Sequence, residues 1–177
     1  MSKRIFIVPH DLTPVADKAF QQAIQLSKSI DSKIILVHIV QRESEIANAE
    51  KQLKEIADSK PSFTIEIIVK KGSIFTDIGK LADANKATAI IMGTHGAKGM
   101  QKVFGSFAMK VIISTSVPFM VIQEGTTVKD FNSICFSIEA KSSSMQIMSL
   151  AGNLAKTYNA KVFIIAEKEN DVKIAKK

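Results

Sequence analysis

Short runs of apolar residues alternate with segments of helical periodicity over the first two thirds of the sequence. The runs occupy residues 5–8, 33–40, 64–71, 87–92 and 117–123. Continuous runs are typical of strands buried on both faces, whereas the segments between them repeat apolar residues every three or four positions. Strands joined through helices of this length lie parallel, and right-handed crossovers place helices on both faces. The sequence therefore predicts a doubly wound α/β domain with a five-stranded parallel sheet, from residue 1 to about 125.

The remaining residues repeat the beginning of that domain. Residues 131–168 align without a gap on residues 3–40, which places Ala151 on Ala23. We therefore predict a second, incomplete copy over residues 126–177, made of a strand, a helix and a strand. A lone βαβ unit cannot cover both faces of its sheet, so we expect it to dock on the first domain or on another subunit. The alternative is that the segment is the tolerated remnant of a truncated repeat.

The net charge of +7 first suggests a nucleic acid or another polyanion as partner. The excess is spread along the chain, because residues 1–60 carry 9 basic and 8 acidic side chains, residues 61–125 carry 7 and 4, and residues 126–177 carry 8 and 5. Aromatic residues make up only 6% of the sequence, and no basic stripe is interleaved with them. A solvated, lysine-rich surface explains the charge, and no nucleic-acid partner is predicted.

No segment resembles a membrane span or a secretory signal. The first apolar run holds four residues before Pro9, and about 18 consecutive apolar residues, enough to cross a bilayer, occur nowhere. The single cysteine, Cys135, lies inside the apolar run SICFSI, which predicts a buried thiol and no intramolecular disulfide. These features predict a cytoplasmic protein without membrane association.

Four of the eight glycines lie in the segment MGTHGAKGMQKVFGS, residues 92–106, directly after the fourth apolar run. In open α/β sheets, ligands bind beyond the carboxyl ends of the strands, where the winding reverses. Gly93 and Gly96 can adopt positive φ and bring main-chain amides close to an anion, while Gly105 and Ser106 open a helix whose free amides favour phosphate. The segment is either a phosphate or nucleotide cradle or a tight structural connection. It is not a P-loop and lacks the spacing of dinucleotide-binding glycines.

Four motifs give the chain a resemblance to a known family. They are VPHDLTP after the first strand, LVHIV in the second, MGTHG with the later GS, and VPFMVI in the fifth. Through residue 125 the sequence resembles the universal stress protein family, and the repeat is similar to the tandem arrangement of some members. The resemblance implies an adenine nucleotide alpha hydrolase-like fold. It also implies binding of ATP or a related adenine nucleotide, with Mg²⁺ as a candidate companion ion, through a Gly-x2-Gly-x9-Gly-Ser/Thr pattern.

On this sequence the pattern falls on two pairs of residues. Gly93 and Gly96 match the first pair and Gly105 and Ser106 the last, with the eight residues 97–104 between them where the family has nine. One residue corresponds to about 3.5 Å of chain, which is large against hydrogen-bond tolerances. The shortening leaves open a second hypothesis, in which the loop does not fit a triphosphate.

The resemblance also implies contacts for individual residues. Pro9 and Asp11 would contact the adenosine, with Asp11 forming a hydrogen bond. The other implied residues are Ile39 and Met92 beside the base, Gly93, Gly96 and Gly105 near the phosphates and ribose, and the amides of Ser106 and Phe107 on phosphate. Asp11 has a second interpretation, because a carboxylate before Thr13 and Pro14 can satisfy amides at a helix start. The three histidines show no metal-ligand spacing, so no metal site is predicted.

Two functions from different classes follow. In the first, implied by the resemblance, the protein is a stress-response regulator that holds an adenine nucleotide at the glycine loop. In the second, it is a nucleotide-free universal stress protein that acts as a dimeric protein-interaction module. We predict no enzyme beyond slow ATP hydrolysis, because the sequence shows no nucleophile with a base and no catalytic lysine in a phosphate motif. A homodimer is expected to form through the apolar last strand of the first domain, the partial repeat, or both.

Overall fold

The computed structural model of the protein describes residues 3–94, 106–138 and 144–166. The chain divides into two compact units, Met1–Lys129 and Asp130–Lys177. In the described parts of the chain, no helix combines the length and the apolar character that crossing a bilayer requires.

The first unit contains a five-stranded sheet in which all neighbouring strands are parallel. Its strands are β1 (Arg4–Pro9), β2 (Ser32–Val40), β3 (Thr64–Lys71), β4 (Ala89–Thr94) and β5 (Phe119–Gln123). The order across the sheet is β3-β2-β1-β4-β5. The chain adds strands on one side of β1 as far as β3 and then crosses back to place β4 on the other side. The predicted doubly wound α/β fold is confirmed, and its winding reverses between β1 and β4.

Four helices of the first unit accompany these strands. They are α1 (Pro14–Ser27), α2 (Ile46–Asp58), α3 (Ile74–Ala84) and α4 (Ser106–Ile112), with a 3-10 turn at Glu43–Glu45 before α2. Apolar residues at three- and four-residue steps continue from α1 to Ile30 in the sequence, but the helix ends at Ser27. The hydroxyl of Ser27 donates to the carbonyl of Ala23 at 2.8 Å, and Ser32 donates to the carbonyl of Ile30 at 2.9 Å. Hydroxyls that compete for main-chain carbonyls favour such an early end.

The two faces of the sheet pack against different helices. One cluster joins strand residues to α3 and α4, namely Ile7, Ile35, Val37, Ile90 and Met92 with Ile78, Ala82 and Val111. Neighbouring strand residues point to the opposite face, where α1 packs against β1, β2, β4 and β5 and α2 packs against β2 and β3. Ile7 and its neighbour Val8 are both fully buried. Burial on both faces explains why the central strands read as continuous apolar runs.

The second unit contains β6 (Ser133–Ile138), α5 (Ser144–Tyr158) and β7 (Lys161–Ala166). β6 and β7 pair in parallel, with Cys135 opposite Phe163. In the first unit Ile7 stands opposite Ile35 in the same way. The alignment of the repeat on the start of the chain therefore reproduces the strand register as well as the order of elements.

Cys135 is exposed, so the prediction of a buried thiol is wrong. Its counterpart in the repeat, Ile7, is fully buried because α3 and α4 cover that face of the first sheet. The described residues of the second unit include no counterpart of these two helices, and Phe163 and Ile165 are 56% and 60% exposed. An apolar run thus predicted the strand, but burial of each face depends on the helices that cover it.

Candidate functional site

A cavity of about 80 Å³ lies at the carboxyl ends of β1, β2 and β4, where the winding of the sheet reverses. Five of the predicted site residues line it, namely Pro9, Asp11, Ile39, Met92 and Gly93. They come from three strands and from the turn after β1, and they meet because parallel strands bring their carboxyl ends to one edge of the sheet. Their contacts with a ligand stay predictions.

The other predicted residues belong to the glycine loop and the helix after it. Gly96 and Gly105 lie outside the described residues, as does His95. Helix α4 begins at Ser106 and continues through Phe107, whose side chains are likewise not described. The structure therefore brings together the five predicted residues from β1, β2, β4 and the turn after β1, and the part of the site expected from the glycine loop stays a prediction.

Gly93 lies near the end of β4, where α1 comes very close to the strand. A Cβ atom at this position would lie 2.4 Å from the carbonyl oxygen of Val15 and 3.0 Å from the amide nitrogen of Ala16. The backbone of Gly93 continues the strand and lies outside the left-handed region, so the prediction of positive φ is wrong for this residue. Glycine is required here because the main chain of α1 occupies the place of a side chain.

Asp11 stabilises the start of α1. Its Oδ1 accepts hydrogen bonds from the amide of Thr13 at 3.2 Å and from the Thr13 hydroxyl at 2.5 Å. The Thr13 hydroxyl oxygen in turn accepts from the amide of Ala16 at 3.4 Å, as a helix N-cap does. The structure thus shows the helix-start role of Asp11. Both bonds use one oxygen, which leaves the other oxygen of the carboxylate for a ligand.

Two histidines that the sequence did not assign to the site also line the cavity. The side chain of His10 is fully buried, with Nδ1 3.2 Å from the amide of Leu12 and Nε2 3.2 Å from Oδ1 of Asp17. Burial lowers the pKa of His10, although the Asp17 carboxylate opposes that shift. His38 donates from Nδ1 to the carbonyl oxygen of His10 at 2.6 Å. In the sequence, a role for these histidines in the site could have been inferred from their neighbours, since His10 follows Pro9 and His38 precedes Ile39.

Helix α3 closes another side of the cavity with Ile74 and Ile78. Its start depends on Asp77, which accepts a hydrogen bond from the amide of Ser73 at 2.7 Å and contacts Nζ of Lys70 at 3.0 Å. The hydrogen bond from Ser73, followed by the contact with Lys70, lowers the pKa of the Asp77 carboxyl. Asp77 therefore anchors the first turn of a helix that walls the site.

Replacing Asp77 by alanine should lower the free energy of unfolding by about 1 to 2 kcal/mol at neutral pH, since a helix-start amide loses its acceptor. Because the pKa of Asp77 is lowered in the folded protein, its contribution is complete above about pH 4 and disappears as pH falls through the lowered value. Urea unfolding at a series of pH values measures this difference. The control is Asp83→Ala at the other end of α3, where the carboxylate accepts a solvent-exposed hydrogen bond from the Thr115 hydroxyl. Equal effects of both variants would contradict the anchoring role.

The cavity offers apolar walls and a few polar groups. Pro9, Ile39 and Met92 provide apolar surfaces, and Asp11 provides a carboxylate at the side. Among the residues for which the structure gives positions, no group of three or more His, Cys, Asp and Glu side chains could hold a metal ion. Apolar walls with a few polar groups are typical of sites that bind small molecules.

The family model described as Universal stress protein family matches residues 1–123 of the chain. A universal stress protein of Methanocaldococcus jannaschii is 25% identical over 137 residues, which cover 67% of this chain and 81% of that protein. The family match includes every described residue that lines the cavity.

Solved structures share the fold. A universal stress protein from Archaeoglobus fulgidus DSM 4304 gives a TM-score of 0.79 at 19% identity, covering 99% of this chain and 71% of that one. A universal stress protein solved in complex with cAMP gives a TM-score of 0.53 at 18% identity, covering 70% of this chain and 98% of that one. At these identities the likeness concerns the fold.

Proposed function

Because the chain belongs to the universal stress protein family, we propose that it is a stress-response regulator that binds an adenine nucleotide beside the carboxyl ends of β1 and β4. The observation that carries this proposal is the cavity at the reversal of the sheet. It gathers five residues that the family pattern implies for the nucleotide, Pro9, Asp11, Ile39, Met92 and Gly93. Ile39 and Met92 would flank the base, and Asp11 would accept a hydrogen bond from the ribose.

The size of the cavity fits a part of the nucleotide. Its volume of about 80 Å³ is below the roughly 300 to 1,000 Å³ of pockets that enclose whole ligands. The phosphates would therefore lie outside it, near the amides at the start of α4, where the family pattern places Gly105 and Ser106. Any Mg²⁺ would be carried by these phosphates.

Adenine nucleotides with different phosphates are all candidates. The related protein solved with cAMP supports the adenine class without selecting a triphosphate. In this chain, eight residues separate the matching glycine pairs, so the distance available to the phosphates differs from the family pattern. ATP, AMP and cAMP are therefore compared in the test.

The direct test is to denature the purified protein and analyse the supernatant by ultraviolet absorbance and mass spectrometry for adenine nucleotide. In parallel, ATP, AMP and cAMP are added with and without Mg²⁺, and the melting temperature is measured. A ligand at a hundred times its Kd stabilises the folded state by about 2.7 kcal/mol.

Two glycine variants locate the binding site. Gly105→Val should abolish the nucleotide-dependent shift in melting temperature, while Gly125→Val, whose side chain would enter open space, should preserve it. No shift with any nucleotide at millimolar concentration would favour the nucleotide-free module.

Asp11→Ala should weaken nucleotide binding about tenfold, because one charge-assisted hydrogen bond to the ligand is lost. The matched control is Thr13→Ala, which removes the N-cap and the local partner of Asp11 but leaves the carboxylate. We expect Thr13→Ala to lower stability by about 1 kcal/mol without changing affinity. Isothermal titration measures both variants. If they weaken binding equally, Asp11 acts only through the helix start.

Self-association is a second proposal, based on exposed strand surfaces. β5 forms one edge of the first sheet, and an apolar edge strand favours pairing unless it is covered. In the second unit, β7 exposes Phe163 and Ile165, which correspond to the buried residues Ile35 and Val37 of the first unit. We propose that a second copy of the chain covers one or both of these surfaces in a homodimer.

No catalytic step is part of the proposed function. The cavity-lining side chains that could act in catalysis are His10, Asp11 and His38. Both nitrogens of His10 are engaged by Leu12 and Asp17, and among the described residues the lining includes no serine, threonine, cysteine or lysine as nucleophile. We therefore propose a binding protein with at most slow hydrolysis of the held nucleotide, working in the cytoplasm.

A further inference from the structure

We infer that His10 is a positioning residue for the nucleotide cavity: its neutral imidazole holds the turn that carries Asp11, so nucleotide affinity falls when His10 takes up a proton. The inference rests on the proposed function, since it concerns the same cavity. It deepens that function by adding control of binding by pH.

His10 connects three elements that meet at the cavity. Its amide donates to the carbonyl of Val37 at 2.8 Å, and its carbonyl accepts from Nδ1 of His38 at 2.6 Å, so its main chain is tied to β2. Its ring lies between the amide of Leu12 and the Asp17 carboxylate on α1. The residue is 2% exposed, so water cannot readily replace a lost partner.

The hydrogen bonds assign the protonation state of the ring. The amide of Leu12 can only donate, so Nδ1 of His10 must be the unprotonated, accepting nitrogen. Nε2 then carries the hydrogen and donates to Oδ1 of Asp17. This is the neutral imidazole with the proton on Nε2. A second proton would have to go to Nδ1, where it would face the N–H of Leu12 and replace an attraction by a repulsion.

The turn that depends on this bond has a strained backbone. Leu12 has φ of 65°, in the left-handed region that a leucine rarely adopts. The bond from its amide to His10 helps to hold that conformation, and Asp11 immediately precedes it. Loss of the bond allows Leu12 to relax to an extended conformation. The carboxylate of Asp11 would then leave its place beside Pro9 and Ile39.

The groups that face His10 set the pH range of the effect. Burial lowers its pKa below the ordinary value near 6.5, against the raising effects of Asp17 on α1 and Asp11 in the turn, and His38 on β2 adds to the lowering. Protonation of His10 therefore disrupts the turn only as the pH falls through this lowered pKa. If only the neutral form binds, affinity falls up to tenfold for each pH unit below the pKa of His10.

A measurement without nucleotide tests the structural half. NMR of protein labelled with ¹⁵N should show His10 protonated on Nε2 alone at neutral pH. The amide signal of Leu12 should then shift with the same midpoint as the His10 ring during acid titration. A proton on Nδ1 at neutral pH, or a Leu12 amide that ignores the titration, would overturn the inference without any reference to binding.

A second measurement tests the functional half. Below the midpoint that the NMR titration gives for His10, nucleotide affinity of wild type should fall by up to tenfold per pH unit in excess of any fall in His10→Asn, whose amide oxygen can accept from Leu12 but does not titrate in this range. The nucleotide titrates equally in both proteins, so its contribution cancels. Asp17→Asn should move the wild-type midpoint to lower pH, since a raising charge is removed. Parallel profiles for wild type and His10→Asn, or an unmoved midpoint in Asp17→Asn, overturn the role of His10 alone. Absence of binding by wild type at pH ~7.5 overturns the proposed function and, with it, this role.

Discussion

Replacing Gly93 by alanine is expected to lower the free energy of unfolding by about 3 kcal/mol or more. The added Cβ would lie 2.4 Å from the carbonyl oxygen and 2.6 Å from the carbonyl carbon of Val15, and 3.0 Å from the amide nitrogen of Ala16. All three are main-chain atoms in the first turn of α1, so no side chain can rotate away. Relief would require α1 to move away from β4, which separates buried surfaces on that face of the sheet.

Thermal and urea unfolding followed by circular dichroism measures the effect of Gly93→Ala. Gly125→Ala is the matched control in the same unit, because a Cβ atom there meets nothing within 4 Å. We expect the control to stay within about 0.5 kcal/mol of wild type. A Gly93→Ala protein as stable as the control would show that α1 does not approach the strand closely. Glycine at 93 would then have to be explained by the ligand alone.

Gly93 illustrates how far sequence reasoning reaches in the candidate site. The glycine after the fourth apolar run was interpreted either as part of a phosphate or nucleotide cradle or as part of a tight structural connection, and a cavity lies beside it, at the reversal of the winding. The reason for the glycine was predicted incorrectly, as a positive φ. Close approach of two elements depends on the distance between α1 and β4, which periodicity does not encode. Strand order follows from general rules for crossovers, whereas contacts between elements follow from packing.

The side-chain contacts of His10 and His38 also could not be predicted from the sequence. No ligand role was predicted for His10 or His38, because neither has metal-ligand spacing. The structure places both on the cavity wall and joins His10 to Asp17, seven residues further along the chain. That contact requires the turn at Leu12, whose left-handed backbone could not be predicted because leucine disfavours it. The hydrogen bonds from Thr13 to Asp11 could be predicted, because Asp11 lies two residues before a helix start of sequence Thr-Pro.

Cys135 shows why the burial of a strand residue could not be predicted from the strand sequence alone. Apolar runs in β1 and β6 are similar in sequence, and both predicted strands are present. Ile7 is fully buried and its counterpart Cys135 is exposed, because α3 and α4, which cover that face of the first sheet, have no counterpart among the described residues of the second unit. A strand's own sequence indicates its tendency to form a sheet, but the partner that covers each face lies elsewhere in the chain or in another molecule.

The repeat provides a matched pair of variants that measures this difference. Ile35→Ala should lower the free energy of unfolding by about 2 to 5 kcal/mol, because a fully buried side chain packed against α3 and α4 is lost. Phe163→Ala changes the equivalent position on β7, where the ring is 56% exposed. In dilute protein we expect that variant to cost less than about 1 kcal/mol, since little buried surface is removed. The unfolding energy of Ile35→Ala should not depend on protein concentration.

Phe163→Ala and Ile35→Ala should also differ in their effect on self-association. If a second copy covers β7, Phe163→Ala should shift dimer formation to higher protein concentration, whereas Ile35→Ala should leave the association of the folded protein unchanged. Light scattering at tens of micromolar measures the association, and fluorescence of Tyr158, the only tyrosine in a chain without tryptophan, follows the second unit during unfolding. Wild type that scatters as a monomer at these concentrations would contradict the proposed dimer. A cost of Phe163→Ala equal to that of Ile35→Ala in dilute protein would instead show that the chain itself covers β7, since no partner is then available to bury the ring.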